Sequence, residues 1–402
     1  MKKLIYLVFL SSFICCSNFS EDLNLAPTAT SFSTIETDLP VINVVADAAG
    51  FDQLLAQPDV DLEIEGMFNL YRDKQLVIAN EAVELSIKGG FSTRFPLKSL
   101  GIKFEKKYDN TDRSLIHPKQ LLPHHNIDEI KAIRLRNSGS DFRNTMLKDL
   151  SMTQLAIDAN LDIDLTYGTP ALVYVNEEFY GLMNLRTEAN TNGMAGLNGV
   201  KKSAITLAKI TTLEFIKKDG DFDRIDRFVD AIEQQDIAYV KSELAINSFI
   251  DYMIFESYLG NTDWPHNNAR FYAVDEEPFR FVLFDLDKVA WLSIHKSPLA
   301  IIDNKQQKNI ITDLFFLLYS EEAFQEAFWN RYQFLLEKKA FSFDKFKTIV
   351  NHNSQQIEAI MPLQINQYNH PNSMMQWQVE LDKMLLLFQE RETVVQEFVV
   401  DL

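Results

Sequence analysis

Cysteine is almost missing from this chain of 402 residues: only Cys15 and Cys16 occur, side by side near the N-terminus. That excludes a disulfide framework and any cysteine metal site in the rest of the sequence. Positive charge is also short. Lys and Arg number 39 against 57 Asp and Glu, a formal net charge of -18. Such a balance argues against a nucleic-acid partner, whose phosphates need a basic surface, although it leaves room for a local basic pocket. It also repels anionic lipid headgroups, so attachment to a membrane is expected to be covalent. No internal repeat and no low-complexity block is present. What is there is a globular composition, 46% hydrophobic and 12% aromatic with 30 Phe. This length buries one large domain or two modest ones.

The two cysteines carry a message about compartment. Lys2 and Lys3 precede an apolar run from Leu4 to Ile14 that ends at Cys15-Cys16-Ser17. A charged start and an apolar run too short for a lasting membrane helix describe an export signal. The pattern predicts a bacterial lipoprotein signal over residues 1–16 with Cys16 acylated, because Ser17, Asn18 and Ser20 then open a polar tether over 17–38. Cys15 stands where a smaller residue is usual in such signals, and a plain signal peptide with chance cysteines is the competing reading.

From Leu39 to about Leu185 the chain reads as short strands and turns with one helix. Asp61–Glu65 and Val83–Lys88 alternate with period two. From about Ile205 onward helical periodicity dominates, broken between Asp263 and Trp291 by loops and one apolar strand. A β-rich half (39–188) followed by a mainly helical half (189–402) predicts an α+β fold of two lobes, with a ligand cleft between them.

Lys88-Gly89-Gly90-Phe91-Ser92-Thr93-Arg94-Phe95-Pro96-Leu97-Lys98 joins two strands. Two glycines and two hydroxyls at such a turn can bring backbone N–H groups to phosphate oxygens, although a Gly-Gly hairpin is more often simply a turn. In the strand that follows, Leu100, Ile102 and Phe104 share a parity with Lys98. A lysine on an apolar face calls for an anionic partner such as a nucleotide phosphate; reaching solvent by snorkelling is the alternative. Asp141–Leu150 shows helical spacing with Ser140 or Asp141 as its N-cap, and contains no Glu to pair with a cleft lysine. Ala171–Val175 and Phe179–Leu185 form a hairpin around Asn176-Glu177-Glu178. Glu188 and Asn190 mark the passage between lobes, where an adenine contact and plain solvation are both open.

The most informative stretch runs from Phe249 to Trp291. Leu244, Phe249, Ile250, Met253, Ile254 and Tyr258 make a helical stripe stopped at Gly260. Asp263 and Asn268 follow, five apart, as are the Asp and Asn of the protein-kinase catalytic loop. There the Asp accepts the substrate hydroxyl proton and the Asn helps hold magnesium. The apolar strand Phe279–Phe284 ends in Asp285-Leu286-Asp287, two carboxylates on one side of an extended chain, suited to Mg²⁺ bridging phosphates. Singly, each pattern is as well explained by a turn or by chance in an acidic chain. In order, they reproduce a kinase's sequence of parts. His266 reads as a loop residue, since no second histidine lies at ligand spacing.

These residues resemble the spore-coat protein H (CotH) family of atypical protein kinases. The likeness rests on Lys88-Gly89 through Lys98-Ser99, Asp141 with Arg143-Asn144, Tyr174-Val175-Asn176 with Tyr180-Gly181 and Glu188, Gly260-Asn261-Thr262-Asp263-Trp264 with Asn267-Asn268, and Phe284-Asp285-Leu286-Asp287. Phe315, Phe324, Phe328, Arg331 and Phe341-Ser342 look like the family's C-terminal portion. The resemblance implies a reduced kinase-like fold and ATP-dependent transfer of phosphate to Ser or Thr of exported proteins. It implies Asp263 as the catalytic aspartate, and Asn268 or Asn267 with Asp285 or Asp287 as ligands of Mg²⁺ or Mn²⁺. Lys98, with Arg94 and Ser92 of the turn, would lie near the nucleotide phosphates. Lys88, Gly90, Glu177 and Phe284 depart from residues common in the family. A catalytically idle surface-binding module and a metal-dependent hydrolase are the competing functions. Scarce ATP outside the cytoplasm is an objection to the kinase. Against that objection stands the joint presence of Lys98, Asp263, Asn268, Asp285 and Asp287, for which an idle fold has no chemical need.

Overall fold

The structure, a computed structural model, describes residues 37–104, 118–123, 125, 127, 129–212, 214–289, 293–303 and 309–400. The lipoprotein signal, Cys16 and nearly all of the tether lie outside the described residues. Twelve strands are present among those described: β1 (Val41–Ala46), β2 (Glu63–Arg72), β3 (Gln75–Lys88), β4 (Ser99–Lys103), β5 (Ala132–Arg136), β6 (Asp164–Leu165), β7 (Gly168–Val175), β8 (Glu178–Thr187), β9 (Ile205–Ile210), β10 (Phe215–Asp219), β11 (Ala269–Val274) and β12 (Arg280–Leu283).

The first half is a closed barrel in the order β1-β2-β3-β4-β5-β8-β7. Antiparallel pairs make up the wall, and β1 closes it by lying parallel to β7. Closure removes the exposed edges that an open sheet would offer. Its tight corners follow from turn chemistry. Asp73 and Lys74 join β2 to β3, and Asn176 and Glu177 join β7 to β8, all four with positive φ as a two-residue hairpin requires. Alternation in β4 buries Leu100, Ile102 and Phe104 completely, opposite Leu135 and Ile133 of β5. Lys103, on the other face, pairs with Glu63 and Glu84.

The second half is helical as expected, with one correction. The sequence reading allowed a single apolar strand there; the structure has a five-stranded sheet in the order β10-β9-β11-β12-β6. Ile205-Thr206-Leu207-Ala208-Lys209-Ile210 is short and half polar, so its period of two was hidden between helical segments. The strand β6 comes from the first half of the chain and pairs in parallel with β12. The helix Ile246–Leu259 runs through the core, buried on every side from Ser248 onward. Phe315, Phe324, Phe328 and Phe341 pack in the same core. No described helix is long and apolar enough to cross a membrane.

A second correction concerns the helix expected over Asp141–Leu150. It begins at Lys148 and runs to Asp158, after a short 3-10 turn at Gly139–Asp141. Asp141 does cap it, from a distance. Its carboxylate accepts from the backbone N–H groups of Thr145, Leu147 and Lys148 at 3.0–3.1 Å. The cap folds a loop that helical periodicity alone cannot distinguish from the helix itself.

Candidate active site

The central helix delivers Asp263. It stops at Gly260, whose φ of +61° ends the helix in a left-handed turn. Arg391, on the C-terminal helix Met374–Val400, fastens that end. Its guanidinium donates to the carbonyls of Tyr258 and Ser257 at 2.7 Å and of Ile294 at 2.8 Å. Asn261 then bridges inward and outward: its amide donates to Glu256 at 2.9 Å, and its oxygen accepts from the Asp263 N–H at 3.1 Å. Burial pushes the Glu256 carboxyl up to about 8, with the charge of Asp285 adding to the effect. The acid at the root of the loop is therefore neutral at neutral pH.

The five-residue spacing from Asp263 to Asn268 is a direct contact. Asn268 Nδ2 donates to Asp263 Oδ2 at 3.0 Å, and the Lys288 ammonium reaches the same oxygen at 3.2 Å. Thr262 donates its hydroxyl to the Lys288 carbonyl at 3.1 Å. The Asp263 loop and the Asp285–Asp287 segment are thus tied side by side. Asn268 and Asp285 both hold positive φ, 51° and 63°, a left-handed conformation that Asn and Asp reach more readily than other residues with a Cβ. Residues kept in it mark places where the surroundings impose geometry.

Asp285 and Asp287 converge on one nitrogen. Arg136 Nη2, from the end of β5, donates to Asp285 Oδ1 and, at 2.7 Å, to Asp287 Oδ2. Its Nη1 reaches Asp149 on the helix Lys148–Asp158 at 3.3 Å, and Asp149 also accepts from the Leu286 N–H at 2.9 Å. Arg186 lies 3.5 Å from Asp149. Burial works against the charge on Arg136, but Asp285, Asp149 and Asp287 together hold its pKa above the ordinary value. Protein kinases pair a strand lysine with a helix glutamate next to the metal-binding aspartate. Here an arginine at the end of a strand and an aspartate on a helix stand beside the paired acids. Gly139 makes the approach possible: a Cβ there would stand 2.0 Å from Asp287 Oδ2, and its φ is +55°.

The 3-10 turn Phe91–Arg94, which holds two of the residues named from sequence, packs against the Gly139–Asp141 turn beside Asp287. Lys98 donates to the carbonyls of Thr93 at 2.5 Å and Phe95 at 2.6 Å, partners that are carbonyls rather than an anion. Arg94 is exposed and lies over the Phe91 ring, 5.4 Å from its centroid. Ser92 is half-buried and its carbonyl accepts from the Asn137 amide at 3.3 Å. Glu188 forms a two-pronged pair with Arg134 at 3.2 and 3.0 Å. Asn267 is half-buried beside Asn268. Sequence reasoning missed Arg136, Asp149, Lys288 and Gly139. Only Lys288, directly after the paired acids, carried a local signal; the others depend on which strand and helix face the acids.

Among the described residues no group of three or more His, Cys, Asp or Glu is arranged to hold a metal ion. The donor chemistry nevertheless fits a hard cation. Asp287 is pushed above the usual carboxylate range by burial and by Asp285, so a divalent cation beside the pair would relieve a charge that Arg136 only partly offsets.

No curated protein matches the chain. Residues 85–395 match the family model described as CotH kinase protein, a span holding both acidic segments, Arg136 and the central helix. The chain belongs to the CotH kinase family.

Proposed function

We propose that this kinase-like protein is an exported, ATP-dependent protein kinase that transfers phosphate to Ser or Thr of secreted or surface proteins. The observation that carries the reading is the tie between the two acidic segments, with Asp263 bonded to Asn268 and Lys288 and Thr262 bonded to the Lys288 carbonyl, one residue after Asp287. Asp263 Oδ2 takes both of those bonds. Oδ1 is then the oxygen available to accept a proton from a substrate hydroxyl, with the side chain about one-fifth exposed. Asp285 and Asp287, with Asn268 or Asn267, would hold Mg²⁺ or Mn²⁺, which when bound neutralises charge on the transferred phosphoryl group. Arg136 keeps the two carboxylates aimed together, and the Glu256–Asn261 link fixes the backbone of Asp263.

Export and lipid attachment at Cys16 belong to this proposal and rest on the N-terminal sequence. One observation favours the competing reading of an idle binding module: Arg136 already bridges the acid pair. The deciding experiment incubates purified chain with labelled ATP and Mg²⁺ or Mn²⁺, beside Asp263→Ala and Asp285→Ala. Label on the chain or on a generic acceptor, lost in both variants, supports transfer. No label and no nucleotide binding by calorimetry sinks it. A Cys16→Ser chain that still partitions with membranes refutes the anchor.

A further inference from the structure

One buried side chain joins the turn after β3 to the loop that carries Gly139. Asn137 follows Arg136 directly and has no solvent exposure. An amide offers two donors and two acceptor sites, and all of them are used here. Its Nδ2 donates to the Leu97 carbonyl at 2.7 Å and to the Ser92 carbonyl at 3.3 Å, both within the turn 89–98. Its Oδ1 accepts from the Gly139 N–H at 3.1 Å and from the Ser99 hydroxyl at 3.0 Å. That hydroxyl in turn accepts from the Asn137 N–H at 3.0 Å. A flipped amide would set its oxygen against two carbonyls, so the network admits one orientation.

Both pieces that Asn137 joins are braced on their own. On the loop side the Ser140 N–H donates to Asp287 Oδ2 at 2.8 Å. Ser138 holds a φ of +68°, its hydroxyl donating to the Met146 carbonyl at 3.0 Å and accepting from the Asn184 amide at 2.7 Å. On the turn side the Tyr180 hydroxyl accepts from the Lys98 N–H at 3.3 Å and donates to the Lys98 carbonyl at 3.0 Å. Phe95 and Phe142 also pack between turn and loop, with centroids 5.2 Å apart, but ring contacts slide where hydrogen bonds hold a distance. Stability alone needs only that a buried amide be satisfied. Here its partners are the turn and the loop that grips Asp287. We infer that Asn137 is a positioning residue that holds the turn 89–98 at a fixed spacing from Asp287. Nucleotide phosphates at the turn and a cation at Asp285 and Asp287 would thereby be kept within reach of each other. That consequence rests on the kinase reading; the tie itself does not.

Hydrogen exchange read by mass spectrometry on the purified full chain, without metal or nucleotide, tests the tie. Ser99→Ala removes the hydroxyl that orients the Asn137 amide. It should speed exchange by about tenfold in both the turn 89–98 and the loop 138–141, while β1, β2 and β7 keep the parent's rates. Speeding in one segment alone, in neither, or throughout the barrel overturns the inference. Labelling kinetics with ATP, beside Mn²⁺ titration followed by electron paramagnetic resonance, test the consequence. Asn137→Asp keeps an acceptor for the Gly139 N–H and gives up both donations to the turn. It should lower kcat/KM for ATP by at least about tenfold while Mn²⁺ affinity stays within about threefold of the parent. Ser99→Ala, which adds no charge, should show the same split at smaller size and decides the matter if the aspartate variant does not fold. Equal losses of ATP use and Mn²⁺ affinity, in step with a lowered melting temperature, would make Asn137 an ordinary barrel residue and overturn the inference. A parent that neither labels nor binds Mn²⁺ would sink the kinase reading and leave the exchange result to decide the tie alone.

Discussion

Two charged regions lie on either side of Phe284, and they handle charge in opposite ways. Toward Asp285, three carboxylates of Asp149, Asp285 and Asp287 are interlocked with the guanidiniums of Arg136 and Arg186. Toward Arg270, whose guanidinium lies 4.7 Å from the Phe284 ring centroid, a cavity of about 680 Å³ in the cleft between the barrel and the second sheet gathers six cations against one acid. The cations are Lys88, Arg134, Lys202, Lys209, Lys218 and Arg270, and the acid is Asp219. Opposite charges buried together hold elements in place and make the fold depend on each partner. Like charges gathered around a space do not stabilise the fold; they await something from outside. The same contrast separates what mutation should break in the two regions.

The largest effect is expected at Arg136. Replacing it with Met keeps much of the volume but leaves buried carboxylates without their shared cation. A loss of about 3–5 kcal/mol is expected, read as a lowered denaturant midpoint. A loss under about 1 kcal/mol would mean that the acids are hydrated rather than locked, and the contrast between the regions would fall.

Gly139→Ala attacks the same lock without changing a charge. The new Cβ would meet Asp287 Oδ2 at 2.0 Å and Arg136 Nη2 at 2.7 Å, at a backbone φ of +55°. The backbone conformation alone costs about 1–2 kcal/mol, and relief of the clash requires Asp287 or Arg136 to move. Stability should fall by about 2–3 kcal/mol and, if the transfer reading holds, labelling should fall with it. An alanine variant as stable as the parent would show that this loop shifts freely.

How much of this was readable in the chain differs by region. The Asp263–Asn268 contact and the convergence of Asp285 and Asp287 lie within a few residues of each other, so local spacing exposed them. The stop at Gly260 and the alternation of Leu100, Ile102 and Phe104 were local for the same reason. Arg136 was not, because 149 residues separate it from Asp285 and only the packing of the barrel against the second half of the chain brings them together. The helix at Lys148 was misplaced because Asp141 caps it across a loop. The cavity was invisible: its cations come from β3, β5, β9, β10, β11 and the turn Lys202–Ala204, and in an acidic chain none stands out alone.

Glu256 tests whether the acidic side also relies on a neutral member. Its pKa rises from the ordinary carboxylate value to about 8, so the native state holds a proton that the unfolded chain releases. Stability must then fall as pH rises through that interval, by at most about 1.4 kcal/mol per pH unit. Glu256→Gln keeps an acceptor for Asn261 and removes the titration. Thermal melts of the variant should show a shallower slope, what remains coming from Asp287, and exceed the parent above about pH 8. A parent curve flat across the interval would show that Glu256 ionises without penalty.

The smallest effect on stability, and the one of opposite sign, belongs to Lys209. Neutralising it as Lys209→Gln removes one of the cations that disfavour each other, and the half-buried position retains a side chain of similar reach. Without ligand the change should lie within about 0.5 kcal/mol, on the stabilising side. With ATP the order should reverse. A ligand bound only by the folded chain raises its melting temperature by mass action, and the parent should gain more than the variant. That crossing separates a basic pocket built for an anion from lysines that merely sit near one another. If Lys209→Gln lowers stability in both conditions, Lys209 belongs with Arg136 as a structural charge, and the two regions are alike after all.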